Sequence, residues 1–205
     1  MAQITDGIRA ILSSPVIYDA LQNIMGAHKV RQELVNEFIR PEDGCRILDL
    51  GCGTAKILRY IPSTVEYWGY DMSPDYIAAA KAEYGNRGHF QCGLLSEADL
   101  NKLPKFDRVL ALGVLHHLDD DVAEDFFTLA KQALNPAGRV VTIDPCLAAG
   151  QSPIARFLIL RDRGQNVRDA HGYTSLAQDT FANVTGTLRH RAWIPYTHWI
   201  MECAK

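Results

Sequence analysis

A chain of 205 residues, 47% hydrophobic and with a formal net charge of −3, is long enough for one well-cored α/β domain and short for two. That charge leaves no basic footprint of the kind that phosphate backbones select, so nucleic acid is not expected as a partner. The five cysteines (Cys45, Cys52, Cys92, Cys146, Cys203) are scattered, form no C-x-x-C or metal spacing, and fit a reducing cytoplasm.

No stretch reaches the roughly 20 apolar residues that cross a bilayer, and the first 24 residues hold Asp6, Arg9 and Asp19 without a long apolar core. A protein with no membrane partner, no metal and no targeting segment is therefore expected. Ser14-Pro15 reads as a cap followed by proline in the first turn, with Ile17, Leu21 and Ile24 at helical spacing after it. A second helix carries Val30, Leu34, Val35, Phe38 and Ile39 on one face until Pro41-Glu42-Asp43-Gly44 stops it.

From there strands and helices alternate. Strands are predicted at 46–50, 65–70, 89–92, 106–112 and 139–143. Helices are predicted at 54–61, from Pro74 to Gly85 behind a Ser73 cap, and at about 121–134, where Val122, Phe126, Leu129 and Ala133 share a face. Near-continuous apolar strands separated by helices mean a parallel sheet covered on both faces. The segment 147–170 is irregular but helical in character, 175–181 is a helix, and 185–193 and 196–203 are strands. Only Ile194-Pro195 separates those two strands, too short a link for a parallel crossover, so they pair antiparallel. The prediction is one α/β domain with a doubly wound, mostly parallel seven-stranded sheet. Its parts are N-terminal capping helices (1–40), a cofactor-binding core (45–145), a substrate-side insertion (147–183) and a terminal antiparallel hairpin (185–205).

The chemistry is concentrated after the first strand. Asp49-Leu50-Gly51-Cys52-Gly53-Thr54 places a glycine turn at its end, and Asp71 follows the second strand, where an acid accepts hydrogen bonds from a ribose. This pair predicts a nucleoside-containing cofactor. The dinucleotide fingerprint G-x-G-x-x-G needs a third small residue for close helix packing, and Lys56 stands there. A nicotinamide-dependent oxidoreductase is thus the weaker alternative.

Read as Asp-x-Gly-x-Gly, the turn resembles the signature of the class I S-adenosylmethionine-dependent methyltransferases of small-molecule type. Further matches follow in order: Gly69-Tyr70-Asp71-Met72-Ser73, Phe106 to Leu110 with Leu115-His116-His117-Leu118, and Leu134 to Arg139. The resemblance spans about 45–203 and implies S-adenosyl-L-methionine as cofactor. It implies that Gly51, Cys52 and Gly53 pass the methionine and ribose portions and that Asp49 organises the loop and the amino-acid end. It gives Asp71 the ribose hydroxyls, Met72 the adenine, and Ala111, Leu112 and Gly113 the ammonium through their carbonyls. Many members carry an acid after the third strand for the adenine amino group; here Gly93-Leu94-Leu95 stands instead, leaving Leu94 in that position.

Two residues are candidates for catalysis. Of the adjacent histidines, the resemblance puts His117 toward the transferred methyl, and an ordinary pKa near 6.5 suits a general base; a packing role competes with this. Asp144, after the fifth strand, is a second base or substrate-orienting group, with a turn-forming role as its competitor. For the acceptor, Arg161, Arg163 and Arg168, with Arg156 and Tyr173, lie in the segment from which the family builds its substrate wall. Arginine forks recognise carboxylate and phosphate; ion pairs with Asp162 and Asp169 are the plainer account. Tyr18 and Gln22 share a face that caps the cofactor in the lid reading, and Tyr196 and His198 are read as core. The activity expected is methyl transfer to a small acceptor, anionic if the arginines face it, with oxygen favoured. A non-catalytic cofactor-binding scaffold subunit is the third alternative.

Overall fold

The computed structural model describes residues 27–162, 164–191 and 196–205. The helix expected at 15–24 with Tyr18 and Gln22, the side chain of Arg163, and the Ile194-Pro195 turn lie outside them. One sheet holds seven strands: β1 (Arg46–Leu50), β2 (Glu66–Asp71), β3 (His89–Cys92), β4 (Phe106–Leu112), β5 (Leu134–Pro145), β6 (Asn183–Arg191) and β7 (Tyr196–Ala204). Their order is β3-β2-β1-β4-β5-β7-β6. The first five pair parallel, β7 pairs antiparallel with β5, and β6 pairs antiparallel with β7.

Both faces of the sheet are apolar because both residues of each strand repeat are apolar. Leu48, Val109 and Val140 point into one cluster with Phe127, Leu134, Leu176 and Phe181, whereas their neighbours Ile47, Leu110 and Val141 point into another with Val35, Ile39, Ile77 and Ile200. Helices α4 (Asp120–Ala133) and α6 (Ala170–Gln178) cover the first cluster; α1 (Ala27–Glu33), the π-helical turn that prolongs it (Leu34–Ile39) and α2 (Pro74–Tyr84) cover the second. Each fully buried Leu, Ile or Phe contributes about 1.5 to 3 kcal/mol. The short helices α3 (Glu97–Leu100) and α5 (Pro153–Ile159) complete the set.

Four boundaries differ from expectation. The helix expected at 54–61 is only a 3-10 turn (Lys56–Tyr60), because Ala55 is left-handed (φ 54°) and Pro62 closes the segment two residues on. Strand β5 starts immediately after α4: Phe106 pairs with Leu134 and Arg108 with Arg139, so 135–138 form a bulge within the strand instead of a separate turn. Helix α6 starts at Ala170 and not at 175, since the Asp169 carboxylate caps it by accepting from the Gly172 amide at 2.7 Å. Among the described residues from 147 to 169, only α5 is helical, set by the Ser152 cap and Pro153.

Strand β1 pairs with β2 on one side and β4 on the other. The chain order therefore reverses at β1/β4, and the crevice beyond their carboxyl ends is where open α/β sheets bind ligands.

Candidate active site

The glycine turn is fastened to β2. The Gly51 and Cys52 amides donate to the Tyr70 carbonyl at 2.8 and 3.0 Å, and the Gly53 amide donates to Asp71 Oδ2 at 2.9 Å. Gly51 has φ 77°, and a Cβ there would stand 2.6 Å from Val114 Cγ2, so glycine is required on both counts. Asp71 Oδ1 accepts from the Ser73 amide at 2.8 Å. Each oxygen of Asp71 thus holds one backbone bond and keeps acceptor capacity for a ligand. Met72, 53% exposed, and Leu94, 67% exposed, extend from the adjacent ends of β2 and β3. The Gly93 amide ties those ends together by donating to the Asp71 carbonyl at 2.9 Å.

Asp49 is buried at the end of β1, where the Tyr67 hydroxyl donates to its Oδ2 at 2.6 Å and its Oδ1 has no hydrogen-bond partner. Burial raises its pKa to about 7, against the Tyr67 bond, with the Asp71 charge adding to the rise. Burial likewise pushes the Cys52 thiol up, with Asp49 and Asp71 adding to it, so it is not a thiolate. Ala111 is buried, and Leu112 and Gly113 are half-buried above it, with the Gly113 amide donating to the Ile143 carbonyl at 2.8 Å.

This arrangement fits S-adenosyl-L-methionine. A buried carboxylate oxygen without a partner suits a cationic ligand, the free acceptor capacity of Asp71 suits a ribose diol, and two exposed apolar side chains suit a flat base. A pyrophosphate fits poorly, because three successive turn amides are already bonded within the protein and no α-helix N-terminus stands behind them.

After β4, the two histidines are unlike. His116 is buried; its Nδ1 lies 2.7 Å from Asp144 Oδ1 and its Nε2 3.3 Å from Asp162 Oδ1, and its backbone amide donates to the same Asp144 oxygen at 3.2 Å. Burial pulls the imidazolium down, but the two carboxylates outweigh it and raise the pKa to about 9. Asp162 is itself held well below its ordinary range, burial being overcome by His116 and by the Tyr196 hydroxyl that donates to it. Asp144 is pushed up by burial, opposed by His116. His117, half-buried, lies tilted at 39° against His116 with ring centroids 4.0 Å apart. Of the residues expected to act in catalysis, Asp144 is buried against His116, and His117 is the less buried of the two histidines.

The remaining arginines are arranged differently from a substrate wall. Arg168 donates from Nε to Asp120 Oδ1, from Nη1 to the Leu115 and Asn166 carbonyls, and from Nη2 to the Leu118 carbonyl and Asp120 Oδ1. A guanidinium has five N–H donors, so Arg168 has none left for an acceptor and instead holds the turn after β4. Arg161 stacks over Phe157 with its Cζ 4.0 Å from the ring centroid. Tyr173 is core: it is buried and its hydroxyl donates to the Pro145 carbonyl at 2.9 Å. The sequence favoured His117 over His116 and read Asp162 and Asp169 as ion-pair partners of the arginines, whereas Asp162 meets His116 and Tyr196 and Asp169 caps α6; Tyr67 carried no sequence signal.

A family model described as a methyltransferase domain matches residues 48–140. A cyclopropane-fatty-acyl-phospholipid synthase of Escherichia coli is 25% identical over 123 residues, covering 57% of this chain and 30% of that protein. A ubiquinone biosynthesis O-methyltransferase of Azorhizobium caulinodans is 33% identical over 123 residues, covering 55% and 47%. A crystal structure of a TehB-like SAM-dependent methyltransferase from Corynebacterium glutamicum superposes with a TM-score of 0.61 at 19% identity, covering 94% of this chain and 99% of that one. The chain matches less than half the length of its curated relatives. The matched residues 48–140 carry the glycine turn, Asp71 and the turn after β4, and the fold is the one that the Corynebacterium glutamicum SAM-dependent methyltransferase structure has.

Among the described residues, no helix is long and apolar enough to cross a membrane, and no group of three or more His, Cys, Asp or Glu side chains is arranged to hold a metal.

Proposed function

We propose that this protein transfers the methyl group of S-adenosyl-L-methionine to an oxygen of a small organic acceptor. The observation that carries the reading is Asp71 at the end of β2, held by the Gly53 amide on one oxygen and the Ser73 amide on the other and still able to accept from a diol. Asp49 and the Ala111 to Gly113 segment would hold the amino-acid end, and Met72 and Leu94 the base. The cofactor, when bound, supplies an electrophilic methyl group on a sulfonium. The chain's own contribution is alignment and exclusion of water, with His117 taking the proton of a hydroxyl acceptor.

An oxygen acceptor agrees with the name of the Azorhizobium relative, whereas the Escherichia coli relative is named for a fatty acyl phospholipid product, so the domain alone does not choose the atom. A neutral hydroxyl or phenol suits the site better than an anion: Arg168 is spent on carbonyls, and Asp144 and Asp162 add negative charge on the acceptor side.

Calorimetry with S-adenosylhomocysteine tests the cofactor half. Each carboxylate hydrogen bond is worth about 1.5 to 3 kcal/mol, so Asp71→Ala is expected to weaken binding by at least about tenfold, and nicotinamide dinucleotides are expected not to bind. Unchanged affinity in Asp71→Ala defeats the assignment. A labelled-methyl screen over phenols, carboxylates, phosphorylated metabolites and amines tests the acceptor half.

A further inference from the structure

Four chain segments meet at one imidazole. His116 comes from the turn after β4, Asp144 from the end of β5, Asp162 from the segment after α5, and Tyr196, which donates to Asp162, from the start of β7. The backbone of 164–168 then closes on the same turn. Gly164 lies so near that a Cβ would stand 2.1 Å from His116 Cδ2, the Asn166 amide donates to the His116 carbonyl at 3.0 Å, and Asn166 Nδ2 donates to Asp119 at 3.0 Å. Arg168 completes the wrap on Leu115 and Leu118.

The geometry points to His116, clasped between Asp144 and Asp162, as a positioning residue that keeps 164–168 folded against the turn after β4 and so sets acceptor affinity. The inference rests on the methyl-transfer reading, since it assigns a task on that reading's acceptor side. It does not make His116 a base: both ring nitrogens are engaged by carboxylates. The groups facing it are Asp144 on β5, Asp162 after α5, His117 on its own turn, Tyr196 and His198 on β7, and the Arg168 guanidinium behind the turn. His198 is kept neutral, its pKa lowered to about 4 by burial and by Arg191, so it adds no second cation near pH 7. The two flanking carboxylates thus face one imidazolium, which they hold charged until about pH 9.

Two measurements need no acceptor. In the histidine-labelled full chain, nitrogen NMR is expected to show both His116 nitrogens protonated at pH 7 and a titration near 9, falling in Asp162→Asn. In that variant at pH 7, amide exchange at Asn166 is expected to speed up by about tenfold, the equivalent of 1.4 kcal/mol of lost opening free energy. The Gly113 amide, bonded to Ile143, is expected to stay protected. With the first acceptor from the labelled-methyl screen, Asp162→Asn is expected to raise KM while kcat and S-adenosylhomocysteine affinity hold. A His116 titration at or below 6.5, unchanged Asn166 exchange, or an unchanged acceptor KM each overturns the proposal. A screen that returns no acceptor overturns the methyl-transfer reading instead, while the titration and exchange still judge the clasp.

Discussion

Asp49 combines burial, one hydrogen bond and one unbonded oxygen, so its ionisation is balanced near neutrality, at about 7, instead of complete. A cation bound nearby tips that balance toward the carboxylate. S-adenosyl-L-methionine, carrying sulfonium and ammonium charge, is therefore expected to release protons on binding near pH 7, which calorimetry detects as an enthalpy that varies with the buffer's ionisation heat. Affinity is expected to rise between pH 6 and 8. Asp49→Asn has no proton to release and is expected to lose both effects; a buffer-independent enthalpy in the wild type would contradict the role given to Asp49. For the cofactor-free protein the sign is opposite. A carboxyl whose folded pKa exceeds its unfolded value costs stability as pH rises through that interval, here from about 4 to about 7.

The turn after β4 and the 164–168 segment take their shape from backbone contacts, and Gly164 is the position where this is most testable. A methyl group there meets the His116 ring and, at 2.6 Å, its carbonyl oxygen, so the 164–168 segment has to lift from the turn after β4. Gly164→Ala is expected to lower unfolding free energy by about 1 to 3 kcal/mol, the usual range for overpacking, read as a fall in denaturation midpoint without change in slope. It removes no titrating group, so His116 is expected to stay protonated at pH 7; an unaltered midpoint would mean that 164–168 has room to shift. These contacts also explain what the sequence conceals. Alternating clusters made each strand legible, and the Asp-x-Gly-x-Gly turn followed by Asp71 marked the cofactor crevice. The stretch 54–61 misled because Ile57, Leu58 and Ile61 are spaced for a helix, while the bonds that prevent one run from the turn to Tyr70 and Asp71 on the next strand. Between His116 and His117, the inward residue is set by Asp144 and Asp162 together, both distant in the chain. The partners of Arg168 are mostly carbonyls, which carry no residue signature.

At the scale of the whole molecule, the buried titrating groups set a pH dependence of stability that local contacts alone do not show. His116 binds its proton more tightly folded than unfolded. Its contribution is complete below the unfolded histidine value of about 6.5 and is lost as pH rises through about 9. His198 acts in the other direction: burial depresses it to about 4, so stability is lost as pH falls from about 6.5 through that value, where the unfolded chain takes up the proton first. Asp162, depressed by His116 and Tyr196, adds to that acid-side loss below about 4. From 6.5 to 9, then, His116 titrates out of register with the unfolded chain, and Asp49 acts in the same direction up to about 7. Tm is expected to fall steadily across that interval. His116→Gln is expected to be less stable than the wild type at pH 6.5 and to show a much flatter profile from 7 to 9, since the charge lost there is the one removed. If the wild-type Tm were level from 7 to 9, the cation between Asp144 and Asp162 would contribute nothing to holding the four segments together.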